Sequence, residues 1–204
     1  FGDVYAGYVA KKMGLPIKKL VIATNQNDIL KRLIKTGCYK PMKVHHTVSP
    51  SMDIQVASNF ERLIFDICSS NSTRTSQLMD DLNKKGEFKI EDKELKKIKD
   101  NFTSESLSED ETRLIINEIY NSEKILIDPH TAVGIGVLKK ISLEGSTVTL
   151  ATAHPSKFSE VVIQTTNVEP ELPEKLKNIL AKKENYEKLP NDIKIIQNYI
   201  LKKI

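Results

Sequence analysis

The stretch Leu20-Val21-Ile22-Ala23-Thr24-Asn25-Gln26-Asn27-Asp28-Ile29-Leu30-Lys31-Arg32-Leu33-Ile34-Lys35-Thr36-Gly37 decides the fold class. Leu20 to Ala23 is a short continuous apolar run after two lysines, the pattern of a strand buried on both faces of a parallel sheet. Asn27-Asp28 is a helix-start signal, and Ile29, Leu30, Leu33 and Ile34 recur at helical spacing. Gly37 supplies the left-handed residue that commonly closes a helix. Strand, turn and helix in that order make half of a βαβ unit.

Outward from this unit the alternation repeats. Upstream, Asp3 can cap a helix through Tyr5, Tyr8, Val9 and Met13 that Gly14-Leu15-Pro16 stops. Downstream, Val44 to Val48 reads as a strand, Ser49-Pro50-Ser51 as a turn, and Asp53 to Cys68 as a helix. From about Ser69 to Glu111 the chain is polar and charge-alternating, which suits a peripheral helical insertion without sheet. Ser108-Glu109-Asp110-Glu111 then forms a capping-box pattern. Ile125-Leu126-Ile127 and Thr147 to Ala151 are further strand candidates, each followed by a helix. Leu172 to Ile204 reads as two Lys/Glu-rich amphipathic helices split near Leu189-Pro190. The expected architecture is α/β, a largely parallel sheet flanked by helices with C-terminal helices added. Its expected divisions are residues 1–168, with the polar insertion around 69–111, and a helical extension over 169–204.

Bulk properties narrow the function classes. The 204 residues carry 31 Lys and Arg against 27 Asp and Glu, too balanced for a nucleic-acid-binding face. No run approaches the roughly 20 apolar residues of a membrane span. Two cysteines, Cys38 and Cys68, form no framework, which fits a reducing cytoplasm; Cys68, within Leu63 to Cys68, reads as a buried small apolar residue. No His, Cys and carboxylate set has metal spacing, and His45 and His46, adjacent in a strand, would face opposite ways. The opening Phe1-Gly2-Asp3 without an initiator Met is expected to be internal to a longer protein.

In open α/β sheets ligands bind at the carboxyl ends of strands, where helix N-termini favour anions. Three segments qualify by position. Gly2 precedes the first helix, where a plain helix-start glycine explains it equally well. Asp128-Pro129-His130-Thr131 reads as an ordinary strand-to-helix turn, with Asp128 as cap, Pro129 at the first helical position and His130 on the surface. In Ala151-Thr152-Ala153-His154-Pro155-Ser156-Lys157-Phe158 a hydroxyl, an imidazole and an amine stand together where a strand ends. Thr152 can donate to or accept from a ring nitrogen, while His154 and Lys157 can meet a phosphate. Against this, a His and a Lys on a loop are more often merely solvated.

The same segments, in order, resemble the microbial and fungal threonine synthases. Phe1-Gly2-Asp3 is similar to the end of that family's PTGNFGD phosphate loop, and Ala23 to Asp28 with Thr36-Gly37 to its ATNxND…TG stretch. Ser49 to Ile54 with Ser58 to Arg62 is similar to SPxMDIxxxSNFER, the most distinctive of the set. Asp128 to Gly134 and Ala151 to Phe158 complete it, with Ser156 where the family usually has Ala. The resemblance spans residues 1 to about 158 and leaves out the polar middle and the C-terminal helices.

It implies the fold-type II, tryptophan synthase β-like fold, the cofactor pyridoxal phosphate (PLP), and conversion of O-phosphohomoserine and water to L-threonine and phosphate. It implies that Gly2 lends a backbone N–H to the cofactor phosphate and that Thr152 contacts the pyridine nitrogen. His154 and Lys157 are then expected near the substrate phosphate, while Asn59 and Arg62 are equally explained as helix scaffold. The family's Schiff-base lysine precedes its phosphate loop, so this chain is expected to be the C-terminal half, to depend on the N-terminal half of the same protein, and to be inactive alone. A threonine dehydratase is disfavoured by the SPxMDI and ATAHPxKF segments. The competing class is a non-catalytic, phosphate- or ligand-binding α/β module of threonine synthase-like type.

Overall fold

The computed structural model describes residues 1–204, the side chain of Leu180 excepted. Helix α1 (Gly2–Lys12) starts one residue before the expected Asp3 cap. Phe1 is the cap residue, and Asp3 sits in the first turn, where a carboxylate still favours the helix dipole. Strand β1 (Leu20–Thr24) and helix α2 (Ile29–Thr36) form as the deciding stretch implied, and Gly37 closes α2 at φ 74°. Asp28 makes no side-chain cap hydrogen bond; its carboxylate instead takes Arg32 Nε at 2.9 Å.

The chain continues through β2 (Cys38–Tyr39), a single 3-10 turn at Pro50–Met52, α3 (Phe60–Ile67), α4 (Ser72–Lys85), β3 (Phe88–Lys89), α5 (Asp92–Asn101) and β4 (Phe102–Ser106). Next come α6 (Glu109–Glu123), α7 (Pro129–Lys140), a 3-10 turn at Pro155–Phe158 and α8 (Ser159–Thr166). β1 pairs with β4 in parallel, Leu20 opposite Phe102 and Thr24 opposite Ser106, whereas β2 and β3 form a two-residue antiparallel pair. The architecture is therefore α/β with a small parallel sheet.

β1 shows why the chain folds in layers. Leu20 and Ile22 face a core built from α1 to α5 around Leu33, Phe60, Leu63, Ile64, Leu78, Ile98 and Phe102. Val21 and Ala23 face the opposite way, into a second core of Leu107, Ile116, Val133, Val137 and Val162 contributed by α6, α7 and α8. Successive strand side chains alternate faces, so a strand apolar at four consecutive positions is one with helices on both sides.

Several expectations are corrected. Val44 to Val48 is not a strand, because its N–H groups go to side chains: His45 N to Asn27 Oδ1 at 2.8 Å, and Thr47 N to Asp53 Oδ2 at 2.8 Å. Ile125–Ile127 and Thr147–Ala151 also lack a ladder, and a strand exists only through its neighbour. The helix expected from Asp53 begins only at Phe60, after the 3-10 turn, and Asn59 makes no side-chain cap hydrogen bond. The stretch 69–111 is not purely helical: β4 lies in it and is the partner of β1.

Contacts divide the chain into two units, Phe1–Pro170 and Glu171–Ile204. The second holds one α-helix, α9 (Ile193–Leu201), capped by Asp192, and two 3-10 turns at Glu174–Leu176 and Ile179–Ala181 in place of the two helices expected. Helices this short need an apolar face buried against something, and Ile193, Ile200 and Leu201 remain at least half exposed. No helix of the described residues is long and apolar enough to cross a membrane.

Candidate functional site

The carboxyl end of β1 opens into a buried polar cage. Asn25 Oδ1 accepts from Asn27 N at 2.9 Å and from Asn27 Nδ2 at 3.0 Å, which turns the chain sharply toward α2. Asn25 Nδ2 donates to Asp53 Oδ1 (2.8 Å), Thr47 Oγ1 (2.9 Å) and Ser49 Oγ (3.0 Å). Asn27 Nδ2 reaches the His45 carbonyl at 2.8 Å. With Asn25, Asn27 and Ser49 almost fully buried, these bonds satisfy groups that would otherwise cost a desolvation penalty, and they pin the loop 44–53 without a ladder.

The loop is tied on its other side to the start of α7. Ser51 N donates to His130 Nε2 at 3.2 Å, so Nε2 carries no proton and Nδ1–H donates to Asp128 Oδ1 at 2.9 Å. His130 is thus a neutral bridge, 5% exposed and tilted against the Phe158 ring at 4.7 Å, not the surface residue expected. Asp128 does cap α7 as expected. Its Oδ1 also takes His130 N at 2.9 Å, and its Oδ2 takes the Thr131 hydroxyl, with Thr131 N at 3.4 Å. Burial pushes the Asp128 carboxyl upward, but the hydrogen bonds from His130 and Thr131 outweigh it and hold the group below its ordinary range. A buried anion at the N-terminus of a twelve-residue helix also has the helix dipole in its favour.

This network reaches the sequence-predicted ligand turn. Thr152 N donates to Thr131 Oγ1 at 3.2 Å. Thr152, His154 and Lys157 share one exposed turn. His154 caps the 3-10 turn: its Nδ1 accepts from Ser156 N at 3.3 Å and lies 2.7 Å from Ser156 Oγ, leaving Nε2 as the protonated donor. Lys157 Nζ sits 5.7 Å from the Phe158 ring centroid. Among the described residues, neither the Thr152 hydroxyl, His154 Nε2 nor Lys157 Nζ has a hydrogen-bond or ion-pair partner. The turn therefore offers a neutral hydroxyl, an N–H donor and an ammonium to solvent.

Gly2 is not part of that group. It is exposed at the start of α1, and a Cβ placed on it would stand 3.6 Å from Asn59 Nδ2, so its surroundings are the first turn of α3. A shallow cleft of about 470 Å³ nearby is lined by Tyr5, Ser58, Asn59, Glu61, Arg62 and Phe65. Among the described residues no three His, Cys, Asp or Glu side chains converge as a metal site. What sequence reasoning missed is the support beneath Thr152, namely Asp128, Thr131, His130 and Ser51. The signal was present as Asp-Pro-His-Thr after an apolar run, which a plain helix start explains equally well.

Comparison with known proteins agrees across the chain. A family profile described as "Threonine synthase, C-terminal" matches residues 131–200. The threonine synthase of Pseudomonas aeruginosa is 39% identical over 203 residues, covering 98% of this chain and 43% of that protein. The crystal structure of PLP-bound threonine synthase from Brucella melitensis superposes with a TM-score of 0.90 at 43% identity, covering 98% of this chain and 43% of that one. The yeast threonine synthase structure gives a TM-score of 0.84 at 35% identity and covers the whole chain and 46% of its own. The chain thus spans less than half the length of the relatives it matches.

Proposed function

We propose that this chain, which belongs to the threonine synthase family and matches its C-terminal part, supplies one wall of a PLP site in an enzyme that converts O-phosphohomoserine and water to L-threonine and phosphate. The observation that carries the reading is the Thr152–Lys157 turn: three ligand-capable groups left open in solvent on a turn anchored from below by buried, saturated polar residues.

The donor set fits the cofactor. Thr152 would meet the ring nitrogen as a neutral hydroxyl, which leaves that nitrogen largely unprotonated and the ring a weaker electron sink than a carboxylate partner would make it. The Gly2 N–H, at the positive end of α1, would hold the cofactor phosphate. His154 Nε2–H and the Lys157 ammonium would hold the substrate phosphate, the first by direction and the second by charge. The bound cofactor supplies the sink for electrons released when a substrate proton is removed. The residues of this chain bind and orient around it. The lysine that carries the cofactor is assigned to the portion of the relatives that this chain does not span, since no lysine here stands in a matching motif. Both cysteines are free, which fits a reducing, cytoplasmic setting.

The test is threonine and phosphate release from O-phosphohomoserine by the full natural chain loaded with PLP. Equal yields of the two products, with Lys157→Ala and His154→Ala raising KM for the phosphorylated substrate, are expected. PLP uptake without turnover would leave the non-catalytic, ligand-binding reading in its place. The 204-residue chain alone is expected to retain no visible PLP band after free cofactor is removed, and a retained band would overturn the assignment of the lysine.

A further inference from the structure

We propose that Thr131, oriented by Asp128, is a positioning residue for Thr152; the inference rests on the reading that Thr152 faces the cofactor ring. A threonine hydroxyl has one hydrogen and two lone pairs and can rotate between donating and accepting. Here the choice is fixed. Asp128 Oδ2 is an acceptor only, and it takes the Thr131 hydroxyl hydrogen. A Thr131 lone pair is then presented to the Thr152 N–H at 3.2 Å. Asp128 cannot turn away, because Oδ1 is held by both His130 N and His130 Nδ1, each at 2.9 Å, and His130 is held in turn by Ser51 N.

The bond matters because little else holds the backbone it ends. Residues 147–151 have no ladder among the described residues, and Val148 and Leu150 are largely exposed. Their close support is α7: a Cβ added at Gly134 would come within 3.0 Å of Thr149 Cγ2. Two tethers from one helix, packing at Gly134 and the hydroxyl of Thr131, thus set where Thr152 stands. Thr131 touches neither cofactor nor substrate in this arrangement, and it acts through the Thr152 backbone.

The experiment uses the full natural chain loaded with PLP and its Thr131→Val, Thr131→Ser and Thr152→Val variants. Two readouts are taken: hydrogen exchange of the peptide bearing the Thr152 amide, and the pH midpoint of the cofactor's visible absorption. Thr131→Val should speed exchange at Thr152 about tenfold, the factor that corresponds to losing a hydrogen bond of about 1.4 kcal/mol. It should also move the pH midpoint in the same direction as Thr152→Val, while Thr131→Ser, which keeps the hydroxyl, restores both. Unchanged exchange in Thr131→Val overturns the proposal. Faster exchange with a midpoint that moves in Thr152→Val but not in Thr131→Val overturns the positioning role. A midpoint unmoved in both removes instead the premise that Thr152 meets the ring, with the Thr131 tether intact. If Thr131→Val does not fold, Thr131→Ala carries the same readouts.

Discussion

The Asp128–Thr131 turn and the Thr152–Lys157 turn are built alike, each following a stretch with a strand-like sequence and opening a helical turn, yet their polar groups fare in opposite ways. In the first, Asp128 is fully buried and both carboxylate oxygens are occupied by donors. In the second, the side chains of Thr152, His154 and Lys157 stand in solvent. The difference separates scaffold from ligand surface. A polar group buried and saturated has no capacity left for a ligand, while one that is open but fixed at its backbone is placed for binding at the cost of side-chain ordering alone. Similar residue types at similar positions in the topology can thus hold different roles, and burial decides which.

The sharpest way to break this comparison is to truncate both sides. Asp128→Ala removes a helix cap and charge-assisted bonds from a buried site, and it should cost about 3 kcal/mol, read as a lower urea midpoint at unchanged slope. Thr152→Ala should change stability by less than about 0.5 kcal/mol and act on cofactor binding alone. Equal losses in the two variants would erase the distinction. Asn25→Ala should fall between them, at about 2 kcal/mol, since it leaves the buried Asn27 N–H without its partner and removes the bonds that pin the loop 44–53.

Acid should reveal the same asymmetry. The Asp128 carboxyl lies below its ordinary value of about 3.9 in the folded protein, so it contributes stability that is fully present above the unfolded value. That contribution is lost as pH falls through the folded value. The gap in stability between wild type and Asp128→Ala should therefore narrow as pH drops below about 4. Glu111, pulled to about 2 mainly by the Lys140 ammonium and by the Ser108 N–H, follows the same sign between about pH 4 and 2. Its side chain is 40% exposed, so Glu111→Gln should change the acid limb only slightly, and less in high salt.

Legibility in the sequence followed the same line. β1 and α2 could be read because their burial is written in apolar side chains, at period one in a two-sided strand and at helical spacing in α2. β4 could not: in Phe102-Thr103-Ser104-Glu105-Ser106 only Phe102 is buried, and the strand is held by its ladder and by Ser104 Oγ on the Ile22 carbonyl at 2.7 Å. Three other stretches read as strands and are none, since propensity is silent about whether a neighbour is available. The ligand turn was found from residue types and from a family resemblance. The polar network under it was not, because hydrogen bonds between positions 51, 128, 130, 131 and 152 have no local signature.

Lys157 gives a small effect on stability and the finest test of the comparison. Its Nζ has only the Phe158 ring for company, at 5.7 Å, and an exposed cation over a ring is worth about 0.5–1 kcal/mol at most. Lys157→Ala should therefore leave the urea midpoint nearly unchanged. Its effect should appear with a phosphorylated ligand, whose dianion gains a strong interaction with an ammonium that has no carboxylate to leave first. Inorganic phosphate, competing with substrate in the PLP-loaded full chain, is the probe: Lys157→Ala should weaken it roughly tenfold at low salt, a loss of about 1.4 kcal/mol. Lys157→Arg should keep part of the affinity, since charge is retained while the compact ammonium is replaced by a planar fork. Phosphate inhibition indifferent to both substitutions would return Lys157 to the solvated surface and leave Thr152 and His154 as the open groups on the turn with an argued ligand.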